Sequence, residues 1–276
     1  MARTVADAAT LLGVLTGLDE RDTVTRESAG RALVDYTPFL DRRGLQGARL
    51  GVARRFFGFH PAVDKVMETA LAALKSEGAE LVDPADLPSH GKFGGAEFEV
   101  LLYEFKHDLD AYLGALGAEA RVHSLADVIA FNDSHRERVM PYFGQETLIR
   151  AQAKGPLTER AYLDALETCR RLARAEGIDA VMNEHKLDAL IAPTAGPAHL
   201  TDHVNGDRGS GGSSSPAAVA GYPSITVPAG FVNGLPVGLS FLGRAWSEPK
   251  LIKFAYAYEQ AASCRRLPKF LPTVGV

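Results

Sequence analysis

A chain of 276 residues with 30 basic against 34 acidic side chains, and no long run of either sign, lacks the electrostatic footprint of a nucleic-acid binder. Its two cysteines, Cys169 and Cys264, lie far apart on expected helices, which argues against a disulfide framework or a four-ligand zinc site and points to a reducing compartment. This length fills one large domain or two small ones and can bury roughly three quarters of the unfolded surface; with no transmembrane run and no basic-then-apolar leader at Met1 to Asp7, the expected location is cytoplasmic, with no membrane partner.

In chain order, Thr4 and Asp7 form a cap pattern, and Val5, Ala8, Ala9, Leu11, Leu12 and Leu15 make the apolar stripe of a first helix that Gly17 and Asp19 end. Residues 20 to 47 are polar and irregular and lead into a short strand at about Ala48 to Ala53. Pro61 opens a helix whose inward face is Val63, Val66, Met67, Ala70, Leu71 and Leu74; Gly78 closes it, and AELVDP is the next strand. Strand, helix, strand favours an α/β sheet with a right-handed crossover. Between Phe93 and Ala118, Phe98, Leu101, Leu102, Phe105, Leu109, Tyr112 and Leu113 stand at helical spacing. Ser124 with Asp127 caps a short helix, 143 to 152 holds another, and Leu157 to His185 is predicted as one long helix with Tyr162, Leu166, Cys169, Leu172 and Ala173 inward. LDALIAPTAGPA is a buried strand followed by a Pro/Gly loop.

The most informative stretch is Gly209 to Gly243. Gly209, Gly211 and Gly212 permit positive φ and close backbone approach, and Ser213 to Ser215 precede Pro216 as a cap precedes a first helical turn. Ser215 to Ala220 is therefore a short helix of small residues, stopped by Tyr222 and Pro223. SITVPAG and LPVGLSFLG are strands joined at Asn233-Gly234, a two-residue turn signal, so a buried hairpin is expected.

The side chains that could carry chemistry have plainer readings. Ser213, Ser214 and Ser215 with His203 offer hydroxyls and an imidazole, but serines before a helix act mostly as caps and His203 sits in an exposed-looking loop. His199 and His203 have the H-x-x-x-H spacing of a zinc pair, yet Gly196 and Pro197 argue for a loop and no third ligand is evident. Glu97, Glu99, Glu104, Asp108 and Asp110 crowd one helix but alternate with Lys106 and His107, and read as its solvated face. Lys106 and Lys186 are the more embedded lysines, and neither has a neighbouring serine pair to serve.

GYPSITVPAGF, NGLPVGLSFLG, Glu248 and the helix ending Tyr258-Glu259-Gln260 together resemble the carboxy-terminal segment of the amidase signature family, serine hydrolases that cleave amide C–N bonds. MARTVADAA resembles a mid-chain motif of that family, and EVLLYEFKHDLDAYL a block of its bacterial members. The resemblance covers nearly the whole chain and implies an incomplete α/β domain, residues 1 to 276, with a mixed β-sheet covered by helices. The family uses a Ser, cis-Ser, Lys triad, in which lysine activates the nucleophile through the bridging serine and backbone amides hold the oxyanion. Those residues belong to the part of the family pattern that precedes MARTVADAA, so none has a counterpart here; GSGGSSS at 209 to 215 is read as a later loop, not as the family's own Gly/Ser block. What the resemblance leaves is pocket wall, for which Thr194, Ser213 and Ser214 are the candidates, and no cofactor is expected. Two expectations follow. One is a carboxy-terminal amidase portion, inactive alone, with an exposed apolar edge or face where a separate amino-terminal portion would pack, or else a homo-oligomer, acting on a small amide when complete. The other is a noncatalytic binding or interaction protein that keeps the scaffold and has re-covered that surface.

Overall fold

The computed structural model describes residues 1–207 and 209–270. The elements are, in chain order, helix α1 (Val5–Leu15), strand β1 (Arg49–Val52), α2 (Pro61–Ser76), β2 (Glu80–Val82), α3 (Gly94–Gly114), α4 (Leu125–Ser134), α5 (Arg136–Val139), α6 (Glu146–Gln152) and α7 (Arg160–Ala173). They continue with α8 (Asp179–Glu184), β3 (Ala189–Pro193), α9 (Ser215–Ala220), β4 (Ser224–Val232), β5 (Leu235–Leu242) and α10 (Glu248–Ala262). The chain forms two units: one from Met1–His90, Ala173–Leu200 and the described residues after 208, the other from Gly91–Leu172 with Thr201–Asp207.

The first unit is an α/β layer structure. Among the described residues its five strands run in the order β2-β1-β3-β5-β4, with β1 parallel to both β2 and β3, and β5 antiparallel to both β3 and β4. The mixed sheet covered by helices is thus the architecture expected from the sequence. All five residues of β3 are buried, as a central strand requires, and alternate residues serve opposite faces. Leu50, Val52, Ala189 and Ile191 join Val227, Leu239 and Phe241 of the hairpin on one face, under side chains of α1, α2 and α10; Leu190, Ala192 and Leu242 serve the other, with Ile178, Val181 and Met182 and the small residues of α9. Each large side chain so buried contributes about 1.5–3 kcal/mol. On that second face Gly51 makes room for Leu187 and for Ala85, whose Cβ would lie 2.9 Å from any Cβ placed there.

Local chemistry sets the helix ends. The His60 side chain accepts from Ala62 N–H at 3.2 Å and Pro61 fills the first turn of α2, whose inward residues are Val63, Met67, Ala70, Leu71 and Leu74; Gly78, at φ +91°, turns the chain into β2. Thr4 Oγ1 accepts from Asp7 N–H at 3.0 Å, as expected, and Glu259 Oε1 reaches from α10 to accept from Val5 N–H at 3.0 Å. The stripe of α1 is partly corrected: Val5, Ala9 and Gly13 are buried, whereas Leu11 and Leu15 are exposed. Gly13 is inward because a Cβ there would lie 2.5 Å from the Val34 carbonyl oxygen. The hairpin is as predicted: Asn233 and Gly234, at φ +49° and +78°, form the turn between the paired residues Val232 and Leu235.

The helix predicted over Leu157 to His185 is broken. A π turn, Arg174–Ile178, separates α7 from α8, and Gly177 takes φ −119°, ψ −106°, outside the helical region, so the run of helical hydrogen bonds is interrupted there. In the second unit α3 buries Leu102, Tyr103 and Leu113 but exposes Leu101, Phe105 and Tyr112. Its acidic residues are not a wholly solvated face. Glu104 accepts from the Tyr162 hydroxyl at 2.8 Å, Asp110 accepts from Leu125 N–H at 2.7 Å, and Glu99 pairs with Lys154. Alternating charge along α3 concealed that other helices of its unit fold over it. Lys106 is embedded as expected, donating to the carbonyls of Gln152 and Lys154 at 2.9 and 2.5 Å, but Lys186 is exposed at the end of α8, at φ +51°. No helix among the described residues is long and apolar enough to cross a membrane.

Glu259 ties α10 to the start of α1, and burial, with a smaller contribution from Asp7, raises its carboxyl above the ordinary value of 4.5 against the lowering effects of the Val5 amide and Gln260. A carboxyl raised on folding stabilises most when protonated, so its contribution is full below pH 4.5 and falls as pH climbs through the raised value. Glu259→Gln keeps an acceptor for Val5 N–H and removes that titration. Urea unfolding of both proteins across this range is expected to show the variant gaining stability relative to the parent as pH rises; a constant difference contradicts the assignment.

Candidate functional site

The site is built where β3 leaves the sheet. Thr194, the first residue past the buried strand, donates its N–H to the Gly238 carbonyl at 2.8 Å, and its own carbonyl accepts from Ser213 N–H at 3.2 Å. Its Oγ1 lies 2.5 Å from Thr226 Oγ1 of β4 and 2.8 Å from Ser240 Oγ of β5. Three hydroxyls thus meet at the end of three neighbouring strands. Ser240 is buried and Thr226 is exposed, so the chain of hydroxyls runs from interior to surface. Gly238 is the residue that lets them meet, because a Cβ on it would lie 2.6 Å from Thr226 Oγ1 and 2.7 Å from Thr194 Oγ1.

The Gly/Ser loop lies against this end. Gly196 N–H donates to the Ser210 carbonyl at 2.7 Å, and with the bond from Ser213 to Thr194 this draws 210–213 alongside 194–196. Gly211, at φ +68°, sits so close to the Phe59 ring that a side chain has no room. Ser213 is 1% exposed, and its Oγ is buried without a hydrogen-bond partner among the described residues. Ser214 is exposed and stands at the start of α9, yet its side chain makes no cap bond, so the serine-cap expectation fails there: at φ −76°, ψ −33° the residue is already helical, and a capping side chain needs the extended conformation. The structure therefore brings Thr194 and Ser213 together and leaves Ser214 apart.

Beside the loop is an open cleft of about 270 Å³, lined by His60, Pro197, Ala198, His199, Ser210 and the hairpin turn. The imidazole of His60 is committed to capping α2. His199 and His203 lie in irregular chain rather than on a helix, which removes the one-face geometry of a zinc pair, and the His203 ring stacks on Tyr142 with centroids 4.1 Å apart. Among the described residues no group of three or more His, Cys, Asp or Glu side chains is placed to hold a metal ion. Around the hydroxyls, Thr194 bonds to other hydroxyls and to backbone, an arrangement that holds chain and can hydrogen-bond a neutral polar group but carries no base.

Sequence reading missed Thr226, Ser240 and Tyr222. The first two are single polar residues inside apolar strand runs, which is the signal that could have found them. Tyr222, read as a helix stop, donates its hydroxyl to Asp179 at 2.7 Å, and burial together with that carboxylate pushes its phenol up to about 12. The stop itself is Gly221, left-handed at φ +66°.

The family model described as Amidase matches residues 1–252. A probable amidase of Arabidopsis thaliana is 36% identical over 280 residues, covering 98% of this chain and 49% of the plant protein. Among solved structures, the native peptide amidase of Stenotrophomonas maltophilia superimposes with a TM-score of 0.88 at 47% identity, covering 98% of this chain and 54% of that enzyme. An amidase family protein of Bacillus anthracis superimposes with a TM-score of 0.80 at 32% identity, covering 98% of this chain and 49% of that one. The chain spans about half the length of the curated relatives it matches.

The hydroxyls near the end of β3 respond in opposite ways to removal. Thr194→Val strands the buried Ser240 hydroxyl and is expected to cost about 1–3 kcal/mol, whereas Ser213→Ala removes an unpartnered buried hydroxyl and is expected to be neutral or stabilising. Urea unfolding of the two variants checks the order; the reverse order contradicts the geometry.

Proposed function

Because the chain belongs to the amidase family, we propose that it serves hydrolysis of an amide C–N bond through an acyl-serine intermediate, and that the activated serine and its lysine come from amidase-family chain beyond these residues. The observation that carries this reading is the family match across residues 1–252, joined to the superposition on a peptide amidase along 98% of the chain. In such a reaction a serine hydroxyl gives up its proton as it attacks the carbonyl carbon. Backbone N–H groups hold the oxyanion, the amine leaves with a proton, and water hydrolyses the acyl ester. The step that decides is the first, because a hydroxyl near pH 7 needs a base within about 2.6–3.2 Å.

The hydroxyls at the end of β3 do not meet that requirement. That of Thr194 bonds to those of Thr226 and Ser240, and that of Ser213 is buried without a partner among the described residues. The part-buried Lys106 nitrogen is spent on two carbonyls. In this reading residues 1 to 276 supply sheet, covering helices and pocket wall, with Thr194 and the Ser213 backbone fixing the wall and Ser214 at its exposed margin. The substrate is a small amide, and the partner that completes the site is the remainder of an amidase domain.

The purified 276-residue chain is expected to release no ammonia from a peptide amide and to take no fluorophosphonate label above a heat-denatured control. Labelling at Ser213, Ser214 or Ser215 that disappears on mutation to alanine overturns the reading.

A further inference from the structure

The cleft of about 270 Å³ in the first unit is walled from the exits of three strands. Strands β1 and β3 are parallel, and β4, antiparallel to a strand that is itself antiparallel to β3, points the same way. His60 follows β1 at the head of α2, Pro197 to His199 follow β3, and the turn from Val232 to Leu235 closes β4. The cleft therefore stands at the carboxyl ends of these strands, the side on which open α/β sheets receive ligands. Thr194 leaves β3 at that same end, so the cleft and the hydroxyl cluster share one end of the sheet.

Its wall is rich in donors. The cap on α2 uses only one nitrogen of His60: Nδ1 accepts from Ala62 N–H at 3.2 Å, which puts the proton of the neutral ring on Nε2 and makes that atom a donor. The N–H groups of Ala198 and His199, in irregular chain, have no hydrogen-bond partner among the described residues. No Asp, Glu, Lys or Arg lines the cleft, so a charged group entering it would meet no opposite charge. Such a wall suits a neutral chain that carries carbonyl oxygens.

We propose that this cleft holds the acyl side of the amide, a neutral acylated segment of one or two residues, and that His60 Nε2–H donates to one of its carbonyl oxygens. The inference rests on the amidase reading above and narrows the small amide to one whose acyl part bears further carbonyls. Size agrees, since the cleft falls just under the range of about 300–1,000 Å³ that encloses a drug-sized ligand and so takes a short segment. His60 is then a specificity-determining residue that touches no reacting atom.

The test titrates the 276-residue chain with N-acetyl-alanyl-alaninamide and follows the imidazole signals by NMR. Acetamide, and alanyl-alaninamide with its free ammonium, are the comparison ligands. The expected result is saturable shifts of the His60 and His199 rings with the acetylated peptide, and binding at least tenfold weaker for acetamide and at least threefold weaker for the ammonium form. His60→Asn keeps a strong helix cap but withdraws the Nε2 donor; it is expected to weaken the acetylated peptide at least fivefold, with His203→Asn unchanged as a control. The unmutated chain supplies a readout free of any folding effect: exchange of the His60 Nε2–H proton with water is expected to slow on binding. Acetamide binding as tightly as the peptide, an unaltered His60 proton at saturation, or full affinity in His60→Asn would overturn the proposal. Hydrolysis is scored separately, in an assembly completed by the remainder of an amidase domain. Peptide binding through His60 without hydrolysis there supports the cleft and contradicts the proposed activity, whereas hydrolysis there with no response at His60 contradicts the cleft and leaves the activity standing.

Discussion

Everything in the first unit depends on β3 being paired on both edges and buried on both faces. A strand so placed tolerates no polar side chain along its length, because an unmatched hydroxyl or amide there loses its water without compensation. Ala189–Pro193 obeys this with five buried apolar residues, locked parallel to β1 and antiparallel to β5. The first place a polar group is allowed is the next residue, and that is Thr194. Its hydroxyl meets those of Thr226 and Ser240, and its carbonyl holds the Ser213 amide, so the burial of one strand dictates where the Gly/Ser loop is tied.

Much of this was legible beforehand. The hairpin could be read because Asn233-Gly234 is a strong local turn signal between β-branched runs, and α2 because Pro61, a clean apolar stripe and Gly78 agree with one another. Thr194 and Ser213 could be named only through family resemblance; what binds them is a backbone bond between residues nineteen positions apart, which no local pattern encodes. The three hydroxyls were hidden for the same reason, since Thr226 and Ser240 become neighbours of Thr194 only through strand order. Helix α1 shows a different limit. Its apolar residues occupy two adjoining stripes, and periodicity alone could not say which one faces the core. Gly177 shows a third, because a glycine inside a helical pattern carries no signal distinguishing a tolerated residue from a break.

The geometry gives the family relationship a physical division of labour. The hydroxyl cluster organises chain and exposes a polar end at Thr226, but its members satisfy one another instead of facing a base. A surface that fixes and shapes suits the wall of a pocket, whereas nucleophilic attack needs a hydroxyl whose proton has somewhere to go.

Hydrogen exchange at the Ser213 amide, read residue by residue, tests the dependence of the loop on β3 most directly. The bond from Ser213 N–H to the Thr194 carbonyl, 3.2 Å in the structure, is expected to protect that amide to the level of the β3 strand amides, so that both open only in global unfolding. Exchange at Ser213 as fast as in an unstructured peptide, with the β3 amides still protected, would show that the loop is not tied to the strand and would contradict this view of the site.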